Sequence, residues 1–378
     1  MNVAQLKTIL NDYIIPETLG TVDTQLENLT DVVTVGQDIS NALTASGHLD
    51  NFVKKLIDRI GKEINWERPY ISAAPNILKD SWDYGSALLK TRCDLSDFEI
   101  SDTWALTSGT NYLDGTFNPP DISAKLYNKR SAMQIDCSFA ERQLMEAFTN
   151  ANALGAFLGM IESRINDTMT VALDSLIMRT INTYIAMKAR AGNCVINLLD
   201  LYNTRFTQSL TAANCCTDKD FLRFAAYTIL LYRSRIRLMS KQYNVGGVAS
   251  HTPIERQKLV LLSEFAKGAD VYLQSDTYHD ELVQTGDYFE VPCWQGNKGN
   301  TWINNSSIAV TYDGTNTIQG GVLGVLFDEY ACMVCCENRR TTSQYVPKGE
   351  FYNNYYKADA EYLIDTDENG VIFVAVDS

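Results

Sequence analysis

The sequence predicts an α+β fold organised around one long helix. Three observations support it: a proline-free stretch with helical periodicity from Ser138 to Ala191, two strand-like segments before it, and a strand-rich tail from Gly320 to Ser378. A helix of about fifty residues is roughly 75 Å long, whereas helices in globular domains average about a dozen residues. The helix is therefore expected to span a plate, a bundle or a coil.

The long helix has signals at both ends. Ser138 followed by Glu141 has the spacing of a capping box, which predicts that the helix begins at Ser138, and Gly192 follows its last residue. Poor helix formers between Asn150 and Gly159 leave a kink or a break into two helices open, within a segment that we treat as one axis. A heptad coiled coil is the alternative, but Phe and Gly within the apolar stripe disfavour it. The stripe comprises Leu144, Phe148, Leu154, Phe157, Leu158, Ile161, Ile165, Met169, Leu176, Ile177, Ile181 and Ile185.

The segments before the helix predict an arm and a protruding hairpin. Short amphipathic pieces broken by Pro and Gly fill the first sixty or so residues, and such an arm needs a partner surface. Alternation at Ala87–Cys93 and again between Tyr127 and Asp136 predicts two strands. The loop from Thr107 to Pro120 is rich in Gly, Asn, Thr and Pro, and it separates them as a long exposed tip.

The chain after Gly192 predicts an α/β segment followed by returning strands. Asp218 is a good N-cap for the strongest helix of this part. If the final strands are buried, their expected partner is the sheet begun before the long helix, which would interleave two domains. The remaining predicted elements are a buried strand at Leu259–Leu262, a helix at Glu264–Leu273, a strand at Tyr288–Trp294, and tail strands at Val322–Val334, Tyr352–Tyr356 and Val371–Val376.

Composition limits the classes of function. With 378 residues, 45% of them hydrophobic and 21% charged, the chain is expected to be ordered nearly throughout and to form two or three subdomains. A net charge of −14 opposes nonspecific binding to a phosphate backbone. No apolar run reaches a membrane span and no signal peptide is visible, so we expect a protein kept in a cytoplasm, with no membrane partner. Nine thinly spread cysteines predict reduced thiols.

Catalytic motifs are absent from the sequence. It contains no phosphate-binding glycine loop, HExxH, GxSxG or dinucleotide fingerprint. Its three histidines, His48, His251 and His279, lie in turns, loops or polar runs, which favours surface or capping roles. We therefore predict no catalytic residue, no cofactor and no enzymatic activity.

Two groups of cysteines raise the question of a zinc site. Cys332, Cys335 and Cys336 form a CxxCC, and Cys215 with Cys216 forms a second group, but two matching knuckles or histidine partners are missing. The first group lies in an apolar segment, where cysteine behaves as a small hydrophobic residue. No metal ligand is predicted.

Two features of the tail leave an alternative open. The residues Asp365, Asp367, Asn369 and Gly370 match the first half of a calcium loop, but Val376 occupies the position of its bidentate glutamate, so Asn369-Gly370 predicts a hairpin turn instead. Calcium binding within an assembly stays the alternative. Aromatic residues suit either a strand core or an interface. They are Tyr345, Phe351, Tyr352, Tyr355, Tyr356 and Tyr362.

In its order of elements the chain resembles the major capsid proteins of tailed bacteriophages with the Hong Kong 97-type fold. The likeness covers most of the chain and is one of residue type and order rather than of invariant motifs. The matching segments are Asp80-Ser-Trp-Asp-Tyr-Gly through Phe98 and Trp104, Ser123-Ala-Lys-Leu-Tyr-Asn-Lys through Cys137, Met169-Thr-Val-Ala-Leu-Asp-Ser-Leu within the helix, Leu259-Val-Leu-Leu through Asp270-Val-Tyr, Val291-Pro-Cys-Trp-Gln-Gly, Phe327-Asp-Glu-Tyr-Ala, Arg339-Arg-Thr-Thr, Asn353-Asn-Tyr-Tyr and Asn369-Gly-Val-Ile-Phe.

The resemblance implies a domain plan. The plan comprises an N-terminal arm at residues 1–65, an extended loop with the first peripheral-domain strands at 66–137, a spine helix at 138–192, an axial domain at 193–325 and returning peripheral-domain strands at 326–378. Some family members join subunits by a Lys–Asn bond, but no local motif identifies such a lysine here. Because the chain begins at Met1, we expect scaffolding to come from a separate protein.

The resemblance also implies a function. It predicts a major capsid protein of the virion, assembled in the bacterial cytoplasm as pentamers and hexamers of an icosahedral shell around double-stranded DNA, without sequence-specific DNA binding. Its expected partners are other copies, a scaffolding protein and a portal, with decoration proteins left open. An encapsulin-type protein compartment is the alternative, and a hydrolase with paired carboxylates is a remote one.

Overall fold

The computed structural model describes residues 74–79, 88–96, 104–110, 119–140, 142, 151–274, 288–295 and 306–377. They fall into two compact units. The first unit contains the described residues of 130–176 and 336–361, and the second contains those of 74–129, 177–335 and 362–377. The predicted arm at 1–65, most of the loop tip, and the histidines His48 and His279 lie outside the described residues.

The long helix α1 runs over Ala151–Ala191. Its 41 residues correspond to a length of about 60 Å. Gly192 adopts a φ of 78° and its N–H donates to the carbonyls of Lys188 and Ala189, so the predicted end of the helix is confirmed. The helix is continuous across Gly155 and Gly159, so these glycines do not break it into two helices.

The predicted start of this helix at Ser138 is wrong. Ser138 lies in the strand β3, Arg130–Ala140, opposite Asn353 of a partner strand. Its hydroxyl donates to the side-chain oxygen of Asn353 at 2.6 Å. Ser138 is thus paired with a distant strand and its side chain is used in that pairing, so it is not the N-cap of the long helix.

The apolar stripe of α1 is buried wherever its side chains are described. Ile165 and Met169 are buried at one-turn spacing, and burial then widens until every residue from 180 to 186 is enclosed. The C-terminal third of the helix is thus a core element of the second unit. Among the described helices, none is long and apolar enough to cross a membrane.

A three-stranded sheet accounts for most of the strand residues of the first unit. Its strand order is β10 (Cys332–Val346), β11 (Phe351–Ile364) and β3, with β11 antiparallel to β3. This pairing confirms that the chain returns to the strand that precedes the long helix. Tyr352, Asn354 and Tyr356 alternate along the buried face of β11, which is the period expected of a strand with one covered face.

Two separate hairpins belong to the second unit. The strands β1 (Leu88–Cys93) and β2 (Ile122–Tyr127) are antiparallel, which confirms a hairpin at this place. Its return strand is not the one predicted, because most of the residues between Tyr127 and Asp136 lie in β3 and pair with β11. The strands β7 (Ile308–Tyr312) and β8 (Thr315–Gln319) are joined at Asp313-Gly314, whose φ values of 51° and 71° are those of a tight hairpin turn.

A mixed five-stranded sheet forms the centre of the second unit. In spatial order it contains β4 (Val195–Asn197), β12 (Gly370–Val374), β9 (Val322–Asp328), β5 (Gln257–Leu262) and β6 (Phe289–Val291). The outer pairs are parallel and the inner pairs are antiparallel. The central strands are almost completely buried, as expected when both faces of a sheet are covered.

The sheets correct two predictions about the tail and one about an earlier strand. The predicted strand Val322–Val334 is two strands, because the chain turns at residues 329–331 and β10 joins another sheet. Asn369-Gly370 is not a hairpin, since β11 and β12 lie in different sheets. The strand predicted at Tyr288–Trp294 is shortened to β6.

Three helices cover one face of this sheet. They are α2 (Leu198–Phe206), α3 (Lys219–Arg235) and α4 (Ser263–Gln274). The predicted N-cap of α3 is confirmed, because the carboxylate of Asp218 accepts the N–H of Phe221 at 2.7 Å. The core on this face combines Leu199, Phe221, Leu222, Ile229 and Phe265 from the helices with Leu259, Leu261, Leu326, Val371 and Phe373 from the sheet.

The C-terminal third of α1 contacts the same sheet through Tyr184. The ring of this fully buried tyrosine lies 5.8 Å from that of Phe327 in β9. Its hydroxyl also fills the space beside Gly370, so a Cβ atom at Gly370 would overlap it. No described group accepts or donates a hydrogen bond to this hydroxyl. Tyr184 and Gly370 therefore interact through close packing and not through a hydrogen bond of the hydroxyl.

This contact predicts a coupled pair of substitutions. Gly370→Ala is expected to destabilise the fold by about 2 kcal/mol, because the added methyl overpacks a filled site. Tyr184→Phe alone is expected to be near neutral, since it removes a buried hydroxyl that has no partner among the described groups. The double variant should recover part of the loss in urea denaturation. An equal cost of Gly370→Ala in both backgrounds would contradict the contact.

Lys188 is a charged side chain inside the same core. It is fully buried in the last turn of α1, and its ammonium donates to the carbonyls of Tyr243 and Glu368, each at 2.9 Å. Burial lowers the pKa of Lys188 to about 8, although the nearby Cys194 and Asp365 act to raise it. The two carbonyl contacts tie the end of the helix to two loops.

The lowered pKa of Lys188 predicts a specific dependence of stability on pH. Between pH 8 and about 10.5 the unfolded chain holds this proton and the folded chain releases it, so stability rises with pH. Relative to Lys188→Met, the wild-type free energy of unfolding should gain about 3 kcal/mol across this interval. Denaturation of both proteins at a series of pH values measures the difference. A pH-independent difference would show that Lys188 titrates normally.

Candidate interaction site

The hairpin of β1 and β2 is fixed to the rest of the second unit by an ion cluster. Its inward side chains include the three cations Lys90, Arg92 and Lys125. They meet three carboxylates in the turn between β11 and β12, which we call the acidic turn (residues 365–369). The carboxylates are Asp365, Asp367 and Glu368.

The contacts of this cluster are short and shared. Lys90 Nζ lies 2.7 Å from Asp365 Oδ2 and 2.8 Å from Glu368 Oε1. Arg92 Nη2 lies 2.7 and 2.6 Å from the same two oxygens. Lys125 pairs with Asp367. Each bridging oxygen thus accepts from two cations, which makes the cluster a network rather than three separate pairs.

The alternation of the strands explains why these cations meet. Lys90 and Arg92 are two residues apart and therefore project from the same face of β1, and Lys125 lies directly opposite Lys90 in the ladder. Like charges at opposed positions destabilise a hairpin. The acidic turn supplies the opposite charge, so the hairpin and the turn depend on each other.

Other contacts hold the acidic turn in place. Asp365 Oδ1 accepts the N–H of Asp367 at 3.0 Å, which closes the turn locally. Ser250 donates to Asn369 Oδ1 at 2.7 Å. The carbonyl of Glu368 is one of the two acceptors of Lys188. The carboxylates are therefore presented by a backbone that the core itself positions.

The electrostatics of the cluster follow from its burial. The side chain of Asp365 is 1% exposed. Burial alone raises the pKa of Asp365, but Lys90 and Arg92 outweigh this effect and hold that pKa below its ordinary value. Burial, together with the charge of Asp365, raises the pKa of Tyr127 at the end of β2. Asp365 is thus an anion that the folded state stabilises.

A second anchor lies at the outer end of β1. Asp94 accepts from Lys241 Nζ at 2.5 Å and from the N–H of Ala249 at 3.2 Å. The contact with Lys241 is the main reason that the pKa of Asp94 lies below its ordinary value. Asp94 therefore extends the anchored part of the hairpin beyond the ion cluster, to the end of β1.

The outer face of the hairpin is apolar and exposed. Leu89 pairs across the ladder with Leu126, and each is 62% exposed, while Ile122 near the end of β2 is 61% exposed. Trp104, in the described part of the loop between the strands, is 99% exposed. A face with this composition is typical of a protein–protein contact. The hairpin thus combines an ionic inner face with an apolar outer face.

The residues considered above as metal ligands occupy other environments. Cys332 and Cys335 are buried in β10, and Asp365 and Asp367 are paired with cations. No group of three or more His, Cys, Asp and Glu side chains within the described residues is placed to hold a metal ion. His251 is exposed in a loop. The carboxylates of the acidic turn serve as counter-charges.

Some aromatic residues of the tail are buried in the core, and others are partly exposed. Tyr352 and Tyr356 are buried in the first unit, and the rings of Tyr345 and Tyr352 lie 4.8 Å apart. Phe351 and Tyr355 alternate with them and are partly exposed. Core packing accounts for the buried set.

Sequence reasoning missed the interaction site because its carboxylates and cations are separated by more than 200 residues.

Comparison with known proteins places this geometry in a family. A model of Phi29-like phage major capsid proteins matches residues 6–374. The capsid structure of Staphylococcus phage Andhra is similar in fold, with a TM-score of 0.53, 11% identity and coverage of 82% of this chain and 87% of that one. A chain from the structure of the head fiber and inner core protein gp22 of native bacteriophage P68 gives a TM-score of 0.53, 12% identity and the same coverage.

At such identities the structural likeness concerns the fold alone. No curated protein sequence matches the chain. The family model, in contrast, spans nearly all of it. The protein therefore belongs to the Phi29-like phage major capsid protein family.

Proposed function

We propose that this protein self-assembles into the pentamers and hexamers of an icosahedral shell that encloses double-stranded viral DNA. Family membership supports the role of shell subunit. The observation that carries the assembly mechanism is the exposed apolar face of the β1–β2 hairpin. In this proposal the hairpin is the extended loop of a Hong Kong 97-type subunit and α1 is its spine helix.

A second copy of the chain is the occupant we propose for the apolar face. The inner face of the hairpin is already bound to the acidic turn, and no described residue of the chain buries the outer face, which leaves it available to a second copy. Burial of one leucine side chain contributes about 2 kcal/mol. Leu89, Leu126 and Ile122 together supply a useful association energy, and a shell repeats that contact in every subunit.

The charge of the chain fits a container for DNA. At a net charge of −14, the subunit has little affinity for the phosphate backbone, so it can surround DNA without binding a sequence. A separate scaffolding protein and a portal are the expected assembly partners. The proposed location is the virion, with assembly in the host cytoplasm. We propose no catalytic role, since the carboxylates of the acidic turn are paired with cations.

A charge on the outer face is expected to block assembly. Leu89→Glu should leave the urea midpoint nearly unchanged, because Leu89 is exposed in the free subunit, and should abolish shells in electron micrographs of protein expressed with its scaffolding protein. Ile318→Glu is the control, since Ile318 is similarly exposed in β8. Wild-type protein that remains monomeric would contradict the function, and normal shells from Leu89→Glu would contradict only the mechanism. Shells filled with protein cargo would favour an encapsulin-type compartment.

Loss of the anchor is expected to destabilise the subunit itself. Asp365→Asn removes one carboxylate from a buried network and leaves Lys90 and Arg92 short of a partner, at a cost of about 3 kcal/mol. Asp359→Asn is the matched control, because Asp359 pairs with Arg340 at a more exposed site. Because the folded pKa of Asp365 is depressed, its contribution is present near neutral pH and is lost as pH falls through that pKa. Urea denaturation of both variants measures the costs, and equal effects would show that the anchor is weak.

A further inference from the structure

Two adjacent cysteines face each other in the turn before α3. Cys215 and Cys216 lie in the 3-10 turn Cys215–Thr217, and their sulfur atoms are 3.8 Å apart. Cys215 is buried against the helical core and its thiol donates to the carbonyl of Ala212 at 3.1 Å. Cys216 is partly exposed. Small reagents can therefore approach the pair from the side of Cys216.

A second adjacent pair shows that sequence neighbours need not react together. Cys335 and Cys336 both lie in the strand β10. Consecutive side chains of a strand point to opposite faces of the sheet, so these two sulfurs cannot face each other without disruption of the strand. The turn at Cys215 has no such constraint. Cys335 and Cys336 can therefore serve as an internal control for any reaction between Cys215 and Cys216.

We propose that Cys215 and Cys216 form a reversible modification site, at which hydrogen peroxide oxidises the two thiols to a disulfide. The Cys215 thiolate attacks a peroxide oxygen, the O–O bond breaks, and a sulfenic acid forms as hydroxide leaves. The Cys216 sulfur then attacks the Cys215 sulfur, and the S–O bond breaks. The two thiol protons leave with the elements of hydrogen peroxide as two water molecules, so peroxide is reduced and the thiols are oxidised.

The environment of Cys215 suits the attacking role. The hydrogen bond from the Cys216 thiol holds the pKa of Cys215 below its ordinary value, although burial opposes this effect. The same hydrogen bond and burial raise the pKa of Cys216, which therefore keeps its proton until the second step. The two sulfurs are thus unequal in the way that a reactive and a resolving thiol require.

The geometry of the turn makes the bond reversible. The Cα atoms of adjacent residues are about 3.8 Å apart, below the usual range of disulfides, so the bond is strained. The turn is also confined, because the N–H of Asp218 donates to the Cys215 carbonyl at 3.3 Å and a Cβ at Gly268 of α4 would lie 2.5 Å from the Cys216 carbonyl oxygen. Strained disulfides are reduced more readily than structural ones.

Peptide mapping of the full-length protein tests the proposal. Trypsin cleavage after Arg205 and Lys219 releases a peptide that contains Cys215 and Cys216 and no other cysteine. After hydrogen peroxide, denaturation and N-ethylmaleimide, this peptide should carry no label and should have lost the mass of two hydrogens. Reduced glutathione added before denaturation should restore both labels.

The controls separate a disulfide from general oxidation. Cys335 and Cys336 should not form a bond with each other under the same treatment, and Cys336→Ser should leave the disulfide at Cys215 unaffected. Cys216→Ser should abolish the loss of two hydrogens. Two labels on the wild-type peptide after peroxide, or added oxygen without loss of two hydrogens, would overturn the proposal.

Discussion

The ion cluster between the β1–β2 hairpin and the acidic turn is the interaction on which the proposed assembly depends. A two-stranded hairpin is marginally stable alone, and this one opposes Lys90 to Lys125 in its own ladder. The acidic turn offsets that repulsion with carboxylates whose backbone is already fixed. The backbone of the acidic turn is in turn held by the core, because the buried ammonium of Lys188 donates to the carbonyl of Glu368. A continuous set of contacts thus leads from α1 to the hairpin.

The two faces of the hairpin contribute different kinds of interaction energy. The inner face uses partly buried charges, which fix orientation but contribute little net energy because their desolvation opposes their attraction. The outer face uses apolar side chains, which are nondirectional and become favourable only when a neighbour covers them. In the proposed assembly, this division lets the subunit fold before it meets a neighbour and present its contact surface in one orientation. Both properties are useful to a shell made of many copies.

Local signals in the sequence were sufficient for elements that depend on neighbours in the chain. The N-cap at Asp218, the helix end at Gly192 and the alternation of β1 each rest on residues within a few positions, and the structure confirms them. The failures involve long-range pairing. Ser138 fits a helix cap by its local sequence, but it pairs with Asn353 of a distant strand. Asn369-Gly370 fits a hairpin turn, but β11 and β12 belong to different sheets. No local pattern states which distant strand will compete.

The acidic turn shows how one composition can serve different physical purposes. Its aspartates matched half of a calcium loop because a cluster of carboxylates needs positive charge from some source. In the folded chain that charge comes from Lys90, Arg92 and Lys125, so the three carboxylates are balanced by three cations. The excess negative charge of the protein must then lie elsewhere on its surface. In the proposed assembly, the neutrality of this cluster lets the apolar outer face approach another copy without a local electrostatic barrier.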